Sequence, residues 1–191
     1  MLGLFTKVSN TLLSDAGFDV TAHLMKKLSR GFGKKETDGF INGDGVNTPV
    51  GILHPTEGAE VFKEVAAITY DDVIDFYFSL KSDYRAKGMW LMNDATALAL
   101  KKLKDADGNY LWKGDENLLL GKKVEITEAM PDGTISLGDF SYYWVVPRKR
   151  LIIKYLREIY VLQNKTGYIT FEIIDGRLTR REAVKTLKTT V

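Results

Sequence analysis

Phe40-Ile41-Asn42-Gly43-Asp44-Gly45, with Pro49-Val50-Gly51-Ile52-Leu53 close behind it, is the stretch on which the reading of this chain turns. It closes a long amphipathic segment. From Asp15 to about Ile41 apolar residues recur at helical spacing: Val20, Leu24, Leu28 and Phe32 form one row, and Phe18, Ala22 and Met25 form its neighbour. Lys26, Lys27, Arg30, Lys34 and Lys35 fall on the wetter side. The spacing predicts a helix of about 27 residues, roughly 40 Å long at 1.5 Å per residue. Gly17, Gly31, Gly33 and Gly39 oppose it, each at about 1 kcal/mol relative to alanine, so a bend or break is expected near Gly31. Gly43 and Gly45 then end the helix, as glycines past a C-terminus do. Upstream, Ser9 is placed to cap a short helical turn.

Downstream the pattern changes. Thr69 with Asp72 reads as an approximate capping box, and Val73, Phe76, Tyr77 and Leu80 follow as one buried helical face. Met89-Trp90-Leu91-Met92 reads as a short buried strand. Asn93 or Asp94 caps a third helix running to about Leu103. Asp107-Gly108 predicts a turn before a strand at Asn109 to Trp112. Strands are expected at Lys123 to Thr127, Tyr142 to Val146, Leu151 to Leu156 and Tyr168 to Ile174, with turns at Pro131-Asp132-Gly133 and Asp175-Gly176. In the last of these strands Ile169, Phe171 and Ile173 alternate with Thr170 and Glu172, so the two sets share opposite faces. Thr179 with Glu182 predicts a final short helix carrying Ala183, Val184 and Leu187. Helices and strands intermix without regular βαβ alternation, which argues for an α+β fold.

Composition narrows the chemistry. Lys plus Arg is 27 against 25 for Asp plus Glu, a near balance that carries no whole-chain signature of nucleic-acid binding. Cysteine is absent, which excludes disulfides and cysteine-based metal sites and fits an intracellular assembly compartment. No apolar run approaches the roughly 20 residues of a membrane span. His23 and His54 are the only histidines, one in the long helix and one in a loop, and no nucleophile-elbow pattern accompanies them. No catalytic or cofactor site is therefore expected. Asp71-Asp72 point about 100° apart on a helix and suit its N-terminal dipole better than a metal. The metal candidate is calcium at Asp105, Asp107, Asn109 and Glu116, positions 1, 3, 5 and 12 of a calcium-loop pattern, although Tyr110 stands where the sharp turn needs glycine. Gly43-Asp44-Gly45 follows a helix and lacks phosphate-loop spacing, and Gly31-Phe32-Gly33 lacks the third glycine of a dinucleotide fingerprint. Arg148-Lys149-Arg150 and the tail residues Arg177, Arg180, Arg181, Lys185 and Lys188 are locally basic, read either as solvated or intersubunit salt-bridge faces or as contacts to DNA. Tyr142 to Trp144 is aromatic enough to be core or interface.

A family resemblance goes further. Val8-Ser9 to Leu13-Ser14-Asp15 resembles the entry to the spine helix of tailed-bacteriophage major capsid proteins, the Hong Kong 97-type capsid fold. Glu36 to Gly45 resembles the end of that helix, and Pro49 to Leu53 the crossing out of it. Met89 to Asn93 with the Leu-rich helix after it, and Asp105 to Trp112, resemble the centre of the axial domain. Asp175 to Leu178 with Glu182 to Lys188 resembles the family's C-terminus. The order of these motifs carries the match along nearly the whole chain. It implies a peripheral domain of residues 1–53 and 146–175, and an axial domain of 54–145 to which 176–191 is a candidate return. It also implies a structural, non-enzymatic subunit, with no cofactor, that associates with copies of itself into pentamers and hexamers around double-stranded DNA. Scaffold, protease and portal proteins are further partners implied, packaged DNA is met by non-specific contact, and no membrane is involved. The location implied is the virion capsid, assembled in the bacterial host cytoplasm. The family's N-terminal arm and extended loop have no counterpart here, so a C-terminal portion of a subunit is expected. The alternatives are an encapsulin-type nanocompartment shell, which shares the fold, and a calcium-binding protein using the loop named above.

Overall fold

The computed structural model describes residues 1–105, 107–112 and 117–190. Strand β1 (Leu2–Ser9) leads into a short helix α1 (Asn10–Asp15) and the long helix α2 (Val20–Asn42). Then come β2 (Glu60–Val65), α3 (Tyr70–Ser79), α4 (Ser82–Ala86), β3 (Met89–Met92) and α5 (Asp94–Lys101). Strands β4 (Leu118–Leu119), β5 (Lys122–Ile126), β6 (Thr134–Gly138), β7 (Tyr143–Leu156), β8 (Lys165–Leu178) and β9 (Val184–Thr189) complete the order. They form a three-stranded sheet, β1-β8-β7, and a six-stranded mixed sheet, β2-β9-β6-β3-β5-β4. The α+β expectation is met. No helix of the described residues is long and apolar enough to cross a membrane.

The main core lies in the six-stranded sheet. Trp90 of β3 is fully buried between Phe76 and Tyr77 of α3, with ring centroids at 5.8 and 6.3 Å, and its indole N–H donates to Leu119 O at 2.8 Å. The Thr69 capping box forms as expected. Thr69 Oγ1 accepts from Asp72 N at 3.2 Å, and Asp72 Oδ2 accepts from Thr69 N at 3.1 Å. Asn93 caps α5, accepting from Thr96 N at 2.8 Å while its amide donates to Met130 O at 3.1 Å and Asp132 at 2.5 Å.

Several expectations need correction. The short turn expected after Ser9 is α1, and the helix expected from Asp15 starts only at Val20, where the Asp19 carboxylate caps α2 by accepting from Ala22 N at 2.9 Å. Gly31 and Gly33 do not break it, since α2 packs along the three-stranded sheet and tertiary contact outweighs propensity. Ser9 precedes α1 without capping it through its side chain. The expected last helix is a 3-10 turn, Arg181–Ala183, followed by β9. Ala183 is buried at the end of that turn, and Val184 and Leu187 are buried in a strand paired with β2 on one side and β6 on the other. The pairing of two neighbours overrides the capping signature. The strand expected at Asn109 to Trp112 is only an isolated bridge between Tyr110 and Lys104. The two strands expected across residues 142–156 are one strand, bent by irregularities at Pro147/Lys149 and Lys149/Ile152. Asp175-Gly176 is no turn; β8 runs straight through it, paired with Val146 and Val145. In β8 the two faces alternate as expected, but the polar one is inside: Thr170 and Glu172 are buried under α2.

Candidate assembly surface

The crossing at residues 40–53 is built on close backbone approach. Gly51 N donates to Gly43 O at 3.0 Å, while Ile52 N and Leu53 N donate to Phe40 O and Ile41 O at 2.8 and 2.9 Å. These bonds satisfy carbonyls that the end of α2 would otherwise leave open. A Cβ on Gly51 would lie 2.5 Å from Ile41 O, so only glycine fits. Asp44 holds the intervening loop: its Oδ1 accepts from Val46 N at 3.0 Å and Thr48 Oγ1 at 2.7 Å. Those donors, the Thr48 hydroxyl first, hold its carboxyl at about 2. Val50 N donates to Gly176 O at 2.9 Å, and Tyr143 Oη donates to Val50 O at 2.9 Å. The crossing thus ties the end of α2 to β8 and to the root of β7. Burial, and the Asp175 charge after it, push the Tyr143 phenol up.

From that root β7 runs outward. It is a 14-residue strand at the edge of its sheet, paired among the described residues only with β8, so one row of its backbone groups has no strand partner there. Residues 144–151 are exposed throughout, which leaves both faces of the strand bare there. Trp144 is 63% exposed, and Val146, Leu151, Ile153 and Tyr155 are exposed too. The connection to β8 adds Ile159, Val161 and the 99% exposed Leu162. A long apolar edge of this kind is a template for association. Cations intersperse it: Arg148, Lys149, Arg150, Lys154 and Arg157 are exposed, and residues 143–157 contain no carboxylate. Lys154 stands 5.5 Å from the Phe171 ring centroid and Arg157 stands 6.0 Å from that of Tyr155.

The two basic clusters part company here. Four of the five tail residues are engaged within the chain. Arg177 pairs with Glu57 at 2.5 Å, Arg181 Nε donates to Gly58 O at 2.9 Å, and Lys185 donates to Ser79 O at 2.8 Å. Arg180 reaches the Tyr84 hydroxyl at 3.4 Å, and that hydroxyl donates to Glu182 at 2.8 Å. Such contacts were beyond sequence reading, because the partners lie about a hundred residues away. The Arg148-Lys149-Arg150 cluster stays on the open surface.

A second open surface lies between α2 and the six-stranded sheet. A cleft of about 570 Å³ is lined by Arg30, Lys34, Asp38 and Glu128 among others. Lys34 pairs with Glu128 across it at 2.6 Å, and Asn42 Nδ2 donates to Ala129 O at 2.7 Å. The ion pair is mostly exposed and worth little on its own.

The residues weighed for other chemistry do not converge. His54 Nδ1 accepts from Glu57 N at 3.1 Å and closes a turn, while His23 meets the edge of the Phe18 ring at 6.0 Å. Asp72 serves its helix cap and a 2.6 Å ion pair with Lys63. In the calcium candidate, Asp105 Oδ1 accepts from the backbone N–H of Asp107 and Asn109 at 3.0 and 2.8 Å, and Asn109 Nδ2 reaches Asp105 Oδ2 at 3.2 Å. The carboxylate is thereby folded into its own turn. Glu116 lies outside the described residues. Among the described residues no group of three or more His, Asp or Glu converges to hold a metal.

A long spine-like helix and long strands in an α+β chain are what the sequence resemblance leads one to expect. A family model described as the phage capsid family matches residues 1–189. The chain belongs to the phage capsid family. Among solved structures, this capsid-family chain is similar to the capsid of a native GTA particle computed with C5 symmetry, at 29% identity and a TM-score of 0.86, covering 100% of this chain and 72% of that one. It shares its fold with a structure from Microbacterium phage Oxtober96, at 14% identity and a TM-score of 0.73, covering 99% of this chain and 72% of that one. A structure from Gordonia phage Cozz matches likewise, at 12% identity and a TM-score of 0.70, covering 100% of this chain and 70% of that one. No curated protein matches the chain. The capsid-family chain is a structural subunit of a phage-type capsid.

Proposed function

We propose that copies of this chain associate into the pentamers and hexamers of an icosahedral shell enclosing double-stranded DNA, and that the chain works by contact and not by catalysis. The single observation that carries this is the bare, apolar and cationic β7 edge, uncovered on both faces, in a chain of the capsid family. Rings of one chain repeat the same contact around a symmetry axis, so one exposed strand serves many interfaces.

The proposal includes a division of labour. Residues 1–53 and 146–175 form a peripheral unit, and residues 54–145 an axial one, with 176–191 returning to the axial unit. What supports this is the strand pairing: among the described residues β1, β7 and β8 pair only with one another, while β9 lies between β2 and β6. Scaffold, protease and portal proteins as partners, non-specific contact with packaged DNA, and assembly in the bacterial cytoplasm before residence in the virion belong to the same reading.

Sedimentation velocity over a concentration series tests it. Pentamers, hexamers or larger closed particles, growing with concentration, are the expected result. A single monomeric species throughout, with no adduct on chemical crosslinking, would overturn self-association through these surfaces.

A further inference from the structure

The face of β8 that α2 covers is a polar seam. Leu4 of β1 lies opposite Thr170, and a Cβ on Gly31 of α2 would meet the Leu4 side chain at 3.2 Å, so the helix rests on the Thr170 side of the sheet. Thr170 is 1% exposed and Glu172, two residues along the same face, is 8% exposed. Thr170 Oγ1 and Glu172 Oε1 are both buried without a hydrogen-bond partner among the described residues. Such a pair of orphaned polar atoms under a helix is costly, and a buried carboxylate without a cation is costlier.

The half-buried Glu36 of α2 lines one small cleft with Ile174 and with Leu2, the β1 partner of Glu172, which brings a second carboxyl against that of Glu172. The surrounding elements bring little relief. On β1 the partner of Glu172 is Leu2, with the Met1 ammonium beyond it. On β7, Lys149 pairs with Ile173 and Ile152 with Phe171, which leaves Arg150 and Leu151 bulged beside Glu172, both exposed. On α2 itself, Lys34 is engaged by Glu128 and Lys35 is exposed. Burial first, and the Glu36 carboxyl second, push Glu172 up to about 7.

We propose that Glu36 and Glu172 form a proton-dependent clamp that seats α2 on the three-stranded sheet. Holding one proton between them, the two carboxyls bind each other through an O–H···O bond. When that proton leaves to water, two negative charges face each other in a buried seam and the helix loosens. The Glu172 carboxyl binds its proton more tightly in the folded chain than in the unfolded one. The contribution is therefore fully present below the ordinary glutamate range and is lost as pH rises to about 7. Asp44 and Asp72, whose carboxyls are held at about 2, act in the opposite sense and only in acid below that window.

Carbon-13 NMR titration of the glutamate side-chain carboxyls, with amide hydrogen exchange of α2 corrected for intrinsic rates, tests the proposal on the intact chain. Glu172 should titrate near neutrality, and protection of the α2 amides around Glu36 should fall by tenfold or more, on the order of one pKa unit of linkage, between about pH 5 and about pH 8. Glu172→Gln should abolish that fall. Glu36→Gln should lower the Glu172 midpoint while leaving the chain folded, and it serves should the first variant not fold. An ordinary glutamate midpoint for Glu172 would overturn the proposal, as would α2 protection that stays level while Glu172 titrates.

Discussion

Thr69 and Asp72 show how much a residue pair can decide. The reciprocal cap was legible at three-residue spacing, because both partners are local. The ion pair that Asp72 makes with Lys63 was not, because it depends on where β2 passes. Thr69→Ala should cost about 1 kcal/mol, the usual loss of a cap, read as a shift in urea midpoint. Lys63 and the Thr69 donors hold the Asp72 carboxyl at about 2. Its stabilisation is present above the ordinary aspartate range and is lost as pH falls toward that value. In Asp72→Asn the acid side of the stability profile should therefore flatten, and an unchanged profile would assign acid unfolding elsewhere. Gly51→Ala is a harsher change, since its Cβ would lie 2.5 Å from both the Gly43 nitrogen and the Ile41 oxygen. Backbone must move to admit it, at about 1–3 kcal/mol by analogy with overpacked cores. A neutral Gly51→Ala in thermal denaturation would contradict the close crossing.

At the scale of elements, the short-range signals held where one helix face or one cap sufficed. Helix α3, strand β3 and helix α5 were legible because Val73, Phe76, Trp90 and Asn93 each announce a buried or capping position within a few residues. Strand β9 was misread. Thr179 and Glu182 have capping-box spacing, but Thr179 Oγ1 donates to Tyr142 O at 2.8 Å and Glu182 turns to Lys81 and Tyr84. Strands β1, β2, β4 and β6 were not read at all, and β6 in particular is buried along its whole length and shows no alternation. Leu187, fully buried in β9 between β2 and β6, provides the test. Leu187→Ala should destabilise the chain by about 2–5 kcal/mol in denaturant titration, as a large-to-small core change does. A loss below that range would place β9 outside the core.

For the whole molecule, the decisive feature is the surface that the fold leaves uncovered. If β7 is an assembly edge, the charge-reversing triple variant R148E/K149E/R150E should raise the apparent dissociation constant of oligomers on the order of tenfold or more. The monomer's thermal midpoint should change little, because all three side chains are exposed. Added salt should narrow the gap between the variant and the parent chain, since exposed charges are screened beyond about 8–10 Å. Equal oligomer populations for variant and parent in sedimentation would move the contact off this strand.

The α+β class, the long amphipathic helix with its glycine-marked end, and the ordered motifs that resemble the capsid family are all legible in the residues alone. Each of these is written in neighbouring residues, through helical period, cap spacing or a backbone turn that admits no side chain. Which residues of β8 lie inside, why Val184 to Thr189 is a strand, and which of two basic clusters is engaged within the chain all emerge from the three-dimensional packing. The physical reason is common to all three. Alternation tells that two faces differ but not which one a helix will cover, and a charge is free or engaged according to partners that folding brings from far along the chain.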